Sequence, residues 1–370
     1  MDNKDIKEPL IHITKRKAIP KKQEWTIRLL SILFALIVCA IVMAVTTHLN
    51  PLAVYAEIFD GSFGSPRKMW ILAKELSILL MVSVALAPAF KMKFWNLGGE
   101  GQMLAGILAT AACMIYMGKN LPSAVIIPVS LVCAVLAGGL WAFIPAFFKA
   151  KWNTNETLFT LMMNYVGMQL VAYYIIIWES PKGSGKVGII NQSNGAGWLP
   201  NLFGQPYLLV VLVALLVTVG MYFYMNYSKH GFEISVVGES QNTAKYVGVK
   251  VDRVIMRTLL LTGAICGLVG WLMVAGTDHT ITTTLGGGRG FLGVLVAWLA
   301  HFNPIGMILS GFLIVFMSRG ASEISTAFGL NESFGDIMTG IILFFVIGSE
   351  FFINYEVHFR KSHRKEAADV

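Results

Sequence analysis

Ten apolar stretches, each close to the length needed to cross a bilayer, constrain this chain more than any other feature. They lie near 27–47, 70–90, 101–118, 122–148, 157–178, 206–225, 254–276, 287–302, 304–320 and 335–353. A helix rises 1.5 Å per residue, so about 20 apolar residues span the ~30 Å of hydrocarbon. Charged residues make up only 14% of the 370 residues and hydrophobic ones 55%. A soluble domain carries about 25% charged residues. Lipid is therefore the solvent for most of the chain, and the sequence predicts an all-α integral membrane protein of about ten transmembrane helices. The eighth and ninth stretches are short, Gly-rich and nearly fused around Asn303-Pro304.

The charges set an orientation. The first 28 residues hold Lys4, Lys7, Lys15, Arg16, Lys17, Lys21, Lys22 and Arg28, and Arg360, Lys361, Arg364 and Lys365 follow the last span. Basic residues flanking short spans are retained on the cytoplasmic side. Residues 1–26 and 354–370 thus read as basic cytoplasmic ends around a membrane domain at 27–353, and the number of crossings should be even. Segments 91–96, 149–154 and 226–253 then fall inside, and 48–69 and 179–205 outside. The net charge of +8 implies anionic lipid as a partner and excludes nucleic acid. Leu29 to Thr46 is too long for a signal-peptide core and lacks a small-x-small cleavage site, so it reads as a retained first span. Cys39, Cys113, Cys133 and Cys266 all fall in apolar runs and read as small core residues.

Two Gly clusters repeat. Gly98-Gly99-Glu100-Gly101 opens a helix ending near Asn120-Leu121-Pro122, and Gly287-Gly288-Arg289-Gly290 opens one ending near Asn303-Pro304. The threading puts them at opposite faces, as in an inverted-topology repeat, the usual build of transporters.

Gly183-Ser184-Gly185-Lys186-Val187-Gly188 matches G-x-G-x-x-G, yet no strand precedes it and no helix follows it. Such a loop needs both to aim amides and a helix dipole at phosphate. Ser180 and Val187 also break the Walker pattern. No nucleophile–base set or metal-ligand spacing is present, which leaves no catalytic, cofactor or metal residues and excludes a membrane-embedded enzyme.

Polar residues at membrane depth mark partners or a water-filled path. Lys74 and Glu75 read as a structural pair. Asn155 and Asn164 lie on opposite sides of one helix, so with Gln169 they cannot all line one path; Asn96, Glu100 and Asn164 are the pathway candidates. Glu75 and Glu350 are the carboxylates that an ion-coupled transporter would use. The polar loop 226–253, with Gly238 and Gly248 bracketing a short helical run, reads as a cytoplasmic docking helix; between Glu239 and Lys245 it lacks the apolar stripe of a lipid-lying connector.

At this loop the sequence resembles permeases of ATP-binding-cassette importers, in the branch serving branched-chain amino acids, simple sugars and nucleosides. Gly231, Phe232, Gly238, Ala244, Gly248 and Val249 match its loop pattern; Ser235 and Thr243 depart from it, standing where Arg and Ala are usual. Asn96-Leu97-Gly98-Gly99-Glu100-Gly101-Gln102, Asn155-Glu156-Thr157, Met163-Asn164-Tyr165, Gly288-Arg289-Gly290-Phe291-Leu292-Gly293 and Asp336-Ile337-Met338-Thr339-Gly340 are similar to the nucleoside-type subgroup. The likeness runs from about residue 65 to 355. It implies the vitamin-B12-importer-like (type II) permease fold and a second, homologous permease subunit. It implies separate ATP-binding cassette subunits that bind ATP and Mg and grip Gly231, Phe232, Gly238, Glu239, Ala244 and Gly248. It also implies a lipoprotein or periplasmic protein that delivers the solute. Nucleosides are the first cargo expected, with ribose-type sugars or branched-chain amino acids as alternatives. An ion-coupled secondary transporter is the alternative of another class.

Overall fold

A computed structural model describes residues 11–359 apart from 17, 18 and 48. Lys4, Lys7, Lys17, Arg360, Lys361, Arg364 and Lys365 lie outside the described residues. The helices are α1 Lys21–Thr47, α2 Pro51–Phe63, α3 Pro66–Lys91, α4 Gly99–Met117, α5 Ser123–Trp152, α6 Glu156–Trp178, α7 Leu208–Tyr227, α8 Lys229–Glu239, α9 Gln241–Tyr246, α10 Val251–Trp271, α11 Arg289–Leu299, α12 Pro304–Phe328 and α13 Glu332–Asn354. A π-helical turn, Leu272–Asp278, extends α10. Two short strands, β1 Ile11–Lys15 and β2 Tyr355–Phe359, complete the chain. Among the described residues nine helices are long and apolar enough to cross a membrane. The protein is therefore an all-α, multi-span membrane protein, since only helices and closed barrels satisfy every backbone group in lipid.

Local signals set several helix ends. Ser65 accepts from the Lys68 amide at 3.2 Å, ahead of Pro66 at the first turn of α3. Asn153 adopts φ 51° to end α5, and Asn155 accepts from the Leu158 amide at 3.1 Å to open α6.

Three expectations differ from the structure. The stretch 287–302 is not a membrane-length helix: α11 has 11 residues, a rise of about 16 Å. Gly287 and Gly288 hold φ of 61° and 70°, left-handed values that stop the helix from starting before Arg289. The segment 48–69, placed outside between two spans, contains α2 and the start of α3, and α12 runs past the expected 320 to Phe328.

The chain divides into two compact units, Phe63–Phe316 and the remainder on either side of it. In the larger unit α4, α5 and α10 form the centre. They meet through small residues, which let backbones approach where lipid gives no hydrophobic drive. A Cβ on Gly138 would stand 2.7 Å from Gly267 Cα, and one on Gly106 would stand 2.6 Å from it. In the other unit α1 packs on α13. Arg28 bridges Glu24 at 2.9 Å and Glu350 at 2.8 Å, so this span carboxylate has a cationic neighbour. β1 pairs antiparallel with β2, Lys15 opposite Tyr355. Both ends of the described chain therefore lie together.

Candidate functional site

Three of the sequence-derived residues, Asn96, Glu100 and Asn164, come together at the start of α4, and all are buried, at 0%, 3% and 2% exposure. The first amides of a helix have no partner within it, and Gly98 at the cap has no side chain to offer. Neighbouring residues supply the acceptors. Asn96 Oδ1 accepts from the Gly98 amide at 3.0 Å and from Gln102 Nε2 at 3.1 Å. Asn164, on α6, accepts from the Gly101 amide at 2.8 Å and donates to the Leu97 carbonyl at 2.8 Å. Thr160 accepts from the Leu97 amide at 3.1 Å. Asn155 and Gln169 of the same helix are exposed, while Asn164 is buried.

Glu100 serves a different helix. Its Oε1 accepts from the Gly288 amide at 3.2 Å and its Oε2 from the Gly290 amide at 2.9 Å. It caps the start of α11, where a carboxylate meets the positive end of the helix dipole. The repeated Gly clusters thus touch rather than lying at opposite faces as the threading has them, because α11 begins only at Arg289, where Glu100 caps it: a Cβ on Gly99 would lie 3.4 Å from Gly290 Cα. From this junction the two helices run in opposite directions. α4 ends where Asn191 and Asn194 reach the carbonyls of Met114 and Gly118, at 2.8 and 3.0 Å. α11 ends with Trp298 against Trp95 and Phe90, ring centroids 5.3 and 6.5 Å away. The rise from Gly290 to Trp298 is about 12 Å, which sets the depth of the junction below the Trp95 level.

On the other side of α11, Arg289 pairs with Glu75 of α3, which also pairs with Lys74 at 2.9 Å. The Lys74–Glu75 pair was legible, but Arg289 was not assigned to it. The repeat held the signal: Arg289 occupies in the second cluster the place of Glu100 in the first, with opposite charge.

The 226–253 loop folds as α8 and α9. Ser228 caps α8 at 3.0 Å and Ser240 caps α9 at 3.2 Å. Ile234, Val237 and Ala244 are buried with Met92 and Phe94, Ala142 and Ala146 of α5, and Ile255 and Leu259 of α10. Gly231 sits against the end of α7, where a Cβ would stand 2.6 Å from the Tyr224 carbonyl oxygen. Gly238 touches the end of α3, where a Cβ would stand 3.1 Å from the Lys91 carbonyl carbon. Gly248 ends α9 at φ 82°. Glu233 ties α8 to Arg257 of α10 at 2.9 Å. Burial of Glu233 works against its charged form, but the hydrogen bond and charge of Arg257 outweigh it and hold the carboxyl below its ordinary value. The opposite face is open: Phe232 is 65% exposed, Tyr246 95% and Val247 65%, and Glu239 is exposed beside them.

The Gly183–Gly188 loop has no amides spare for phosphate at its first two glycines. The Gly183 and Gly185 amides donate to the Glu179 carboxylate at 2.8 and 2.9 Å. Those two amides hold the Glu179 carboxyl below its ordinary value.

Apolar membrane-length helices, two helix starts joined through one buried carboxylate, and a polar helical pair with an open apolar face together describe a transport protein of the bilayer. The family model described as the branched-chain amino acid transport system permease component matches residues 69–347, and the chain belongs to this permease family. The chain is 31% identical to the guanosine ABC transporter permease protein NupP of Bacillus subtilis, covering 87% of this chain and 92% of that one. It is 27% identical to a glucose ABC transporter permease protein of Haloferax volcanii, over 94% and 93% of the two chains. It is 25% identical to the nucleoside ABC transporter permease protein NupB of Lactococcus lactis subsp. cremoris, over 88% and 91%. No solved structure matches the chain.

Proposed function

We propose that this chain is the membrane subunit of an ATP-driven importer of nucleosides, worked by separate ATPase subunits that dock on α8 and α9. The observation that carries this reading is the two-sided build of that helix pair. One face is locked to the ends of α3, α5 and α10, while Phe232, Tyr246 and Val247 stand exposed outside the spans. Exposed aromatic and aliphatic side chains on a rigid mount are what a partner subunit binds. ATP and Mg then belong to the partner chains. The docking face and both ends of the chain lie in the cytoplasm, as the basic flanks require. A second, homologous permease completes the pathway, and an external lipoprotein or periplasmic protein delivers the solute.

The buried Asn96–Glu100–Asn164 network positions rather than touches the cargo. It fixes the starts of α4 and α11, so that a shift of α8 against α3 and α10 moves a rigid junction. The likeness to guanosine and nucleoside permeases supports nucleoside cargo, and the likeness to a glucose permease supports a sugar as the second candidate.

The test is uptake of radiolabelled guanosine by vesicles holding this chain with its partners. Uptake should need ATP and stop with a hydrolysis-dead ATPase. Excess unlabelled nucleoside should compete, and glucose, ribose and leucine should not. Competition by glucose or ribose alone would move the cargo to sugars. Uptake driven by an ion gradient with the ATPase dead would replace this reading with an ion-coupled transporter.

A further inference from the structure

At the end of the larger unit opposite α8 and α9, the external loop folds over the π-helical end of α10. The Ile190 amide donates to the His279 carbonyl at 2.7 Å, and the Leu199 amide to the Ala275 carbonyl at 2.8 Å. The Trp198 indole N–H donates to the Ile190 carbonyl at 2.9 Å. The Trp198 and His279 rings stack 4.0 Å apart and 7° from parallel. His279 holds φ 51°, a left-handed value unusual for a residue with a side chain. π-helical turns concentrate at functional sites, and here one supplies two walls of an opening, Gly276 and Thr277.

That opening is a cavity of about 470 Å³. Trp198, Asn201, Pro206, Tyr207, Thr277 and His279 line it. Its size lies within the 300–1,000 Å³ typical of small-molecule sites. The Lys74 ammonium lies 5.5 Å from the Tyr207 ring centroid, so this wall also carries a cation.

We propose that this cavity is an entry subsite that takes the heterocyclic base of a nucleoside on the external side, before it passes into the membrane pathway. This inference rests on the nucleoside reading above. The chemistry fits a flat heteroaromatic ring better than a sugar or an aliphatic amino acid. Trp198 and Tyr207 line the cavity with aromatic rings, a surface every nucleobase can stack on; His279 already covers one face of Trp198. Asn201 offers both a donor and an acceptor to a base edge. His279 Nδ1 lies 3.1 Å from the Val274 carbonyl, which can only accept, so Nδ1 carries the proton and Nε2 of the neutral ring is an acceptor. Burial favours that neutral form, lowering the His279 pKa from its ordinary value.

The experiment uses the full chain in lipid nanodiscs and, in parallel, the ATPase-containing vesicles. Asn201→Cys places an exposed thiol at the cavity rim for a membrane-impermeant maleimide. Guanosine and free guanine should each slow labelling at least about fivefold, and ribose should not. Trp198→Ala should raise the guanosine KM of uptake about tenfold or more with little change in Vmax, and Trp198→Phe should restore most of the affinity. Asn201→Ala, at an exposed side chain that leaves the fold intact, should raise KM severalfold. Unchanged KM in both alanine variants, or equal protection by ribose, overturns the subsite while guanosine uptake by the unaltered complex keeps the nucleoside reading. Absence of nucleoside uptake by the unaltered complex overturns both.

Discussion

Glu100 shows how much can hang on one carboxylate. It receives two amides at the start of α11, the first from Gly288, 188 residues further along the chain, at 3.2 Å. Leaving a buried amide without an acceptor costs about 1–3 kcal/mol. Glu100→Ala strands two, so it should lower stability by about 2–5 kcal/mol and abolish uptake, while Glu100→Gln, which keeps one acceptor oxygen, should lose roughly half as much. Thermal unfolding in detergent reads the difference; equal loss in both variants would point to charge rather than capping. His279 gives the pH counterpart. Its lowered pKa means that the folded loop binds fewer protons than the unfolded one. The stability it contributes is therefore complete above its ordinary value of 6.5 and falls as pH drops from there through the lowered value. Hydrogen exchange at the Ile190 and Leu199 amides should quicken between pH 7.5 and 5.5 beyond the intrinsic chemical trend. His279→Phe keeps a ring and should flatten the effect.

At the scale of elements, Gly238 decides how closely α8 approaches the end of α3. A Cβ there would lie 3.3 Å from Met92 Cα as well as against the Lys91 carbonyl, so Gly238→Val must push α8 outward. Overpacking of this kind costs about 1–3 kcal/mol. The chain should still insert, while ATP-driven uptake falls about tenfold or more and the ATPase keeps its basal rate. Uptake at the original rate would mean that α8 transmits nothing through this contact. The docking loop was legible in the sequence because its polarity breaks so sharply with the spans on either side, and Gly231, Gly238 and Gly248 marked its tight places. The length of α11 was not. Hydropathy sums side chains, and 287–302 is apolar apart from Arg289 and His301, but the left-handed glycines that delay the helix are a backbone property the sum does not contain. The Arg289–Glu75 pair was hidden for another reason: its members lie 214 positions apart, and only the packing of α11 on α3 joins them.

For the whole molecule, the pairing of β1 with β2 fixes the parity of the crossings. Two segments held in one sheet lie on one side of a membrane, so the crossings between them must be even in number. The nine long helices among the described residues leave one crossing unassigned. Among the described residues the stretch 280–302 supplies it as a composite, an irregular segment from Thr280 to Gly288 followed by α11. Irregular backbone at membrane depth is tolerated where protein surrounds it. The Glu100 and Glu75 contacts around Gly288, Arg289 and Gly290 provide that enclosure. This arrangement makes a topological prediction. Cysteines at Asn303 and Lys245 should label from the same side of a sealed vesicle, and a cysteine at Gln192 from the other. If Asn303 labels with Gln192 instead, α11 turns back without crossing. The two chain ends would then fall on opposite faces, and β1 could not pair with β2.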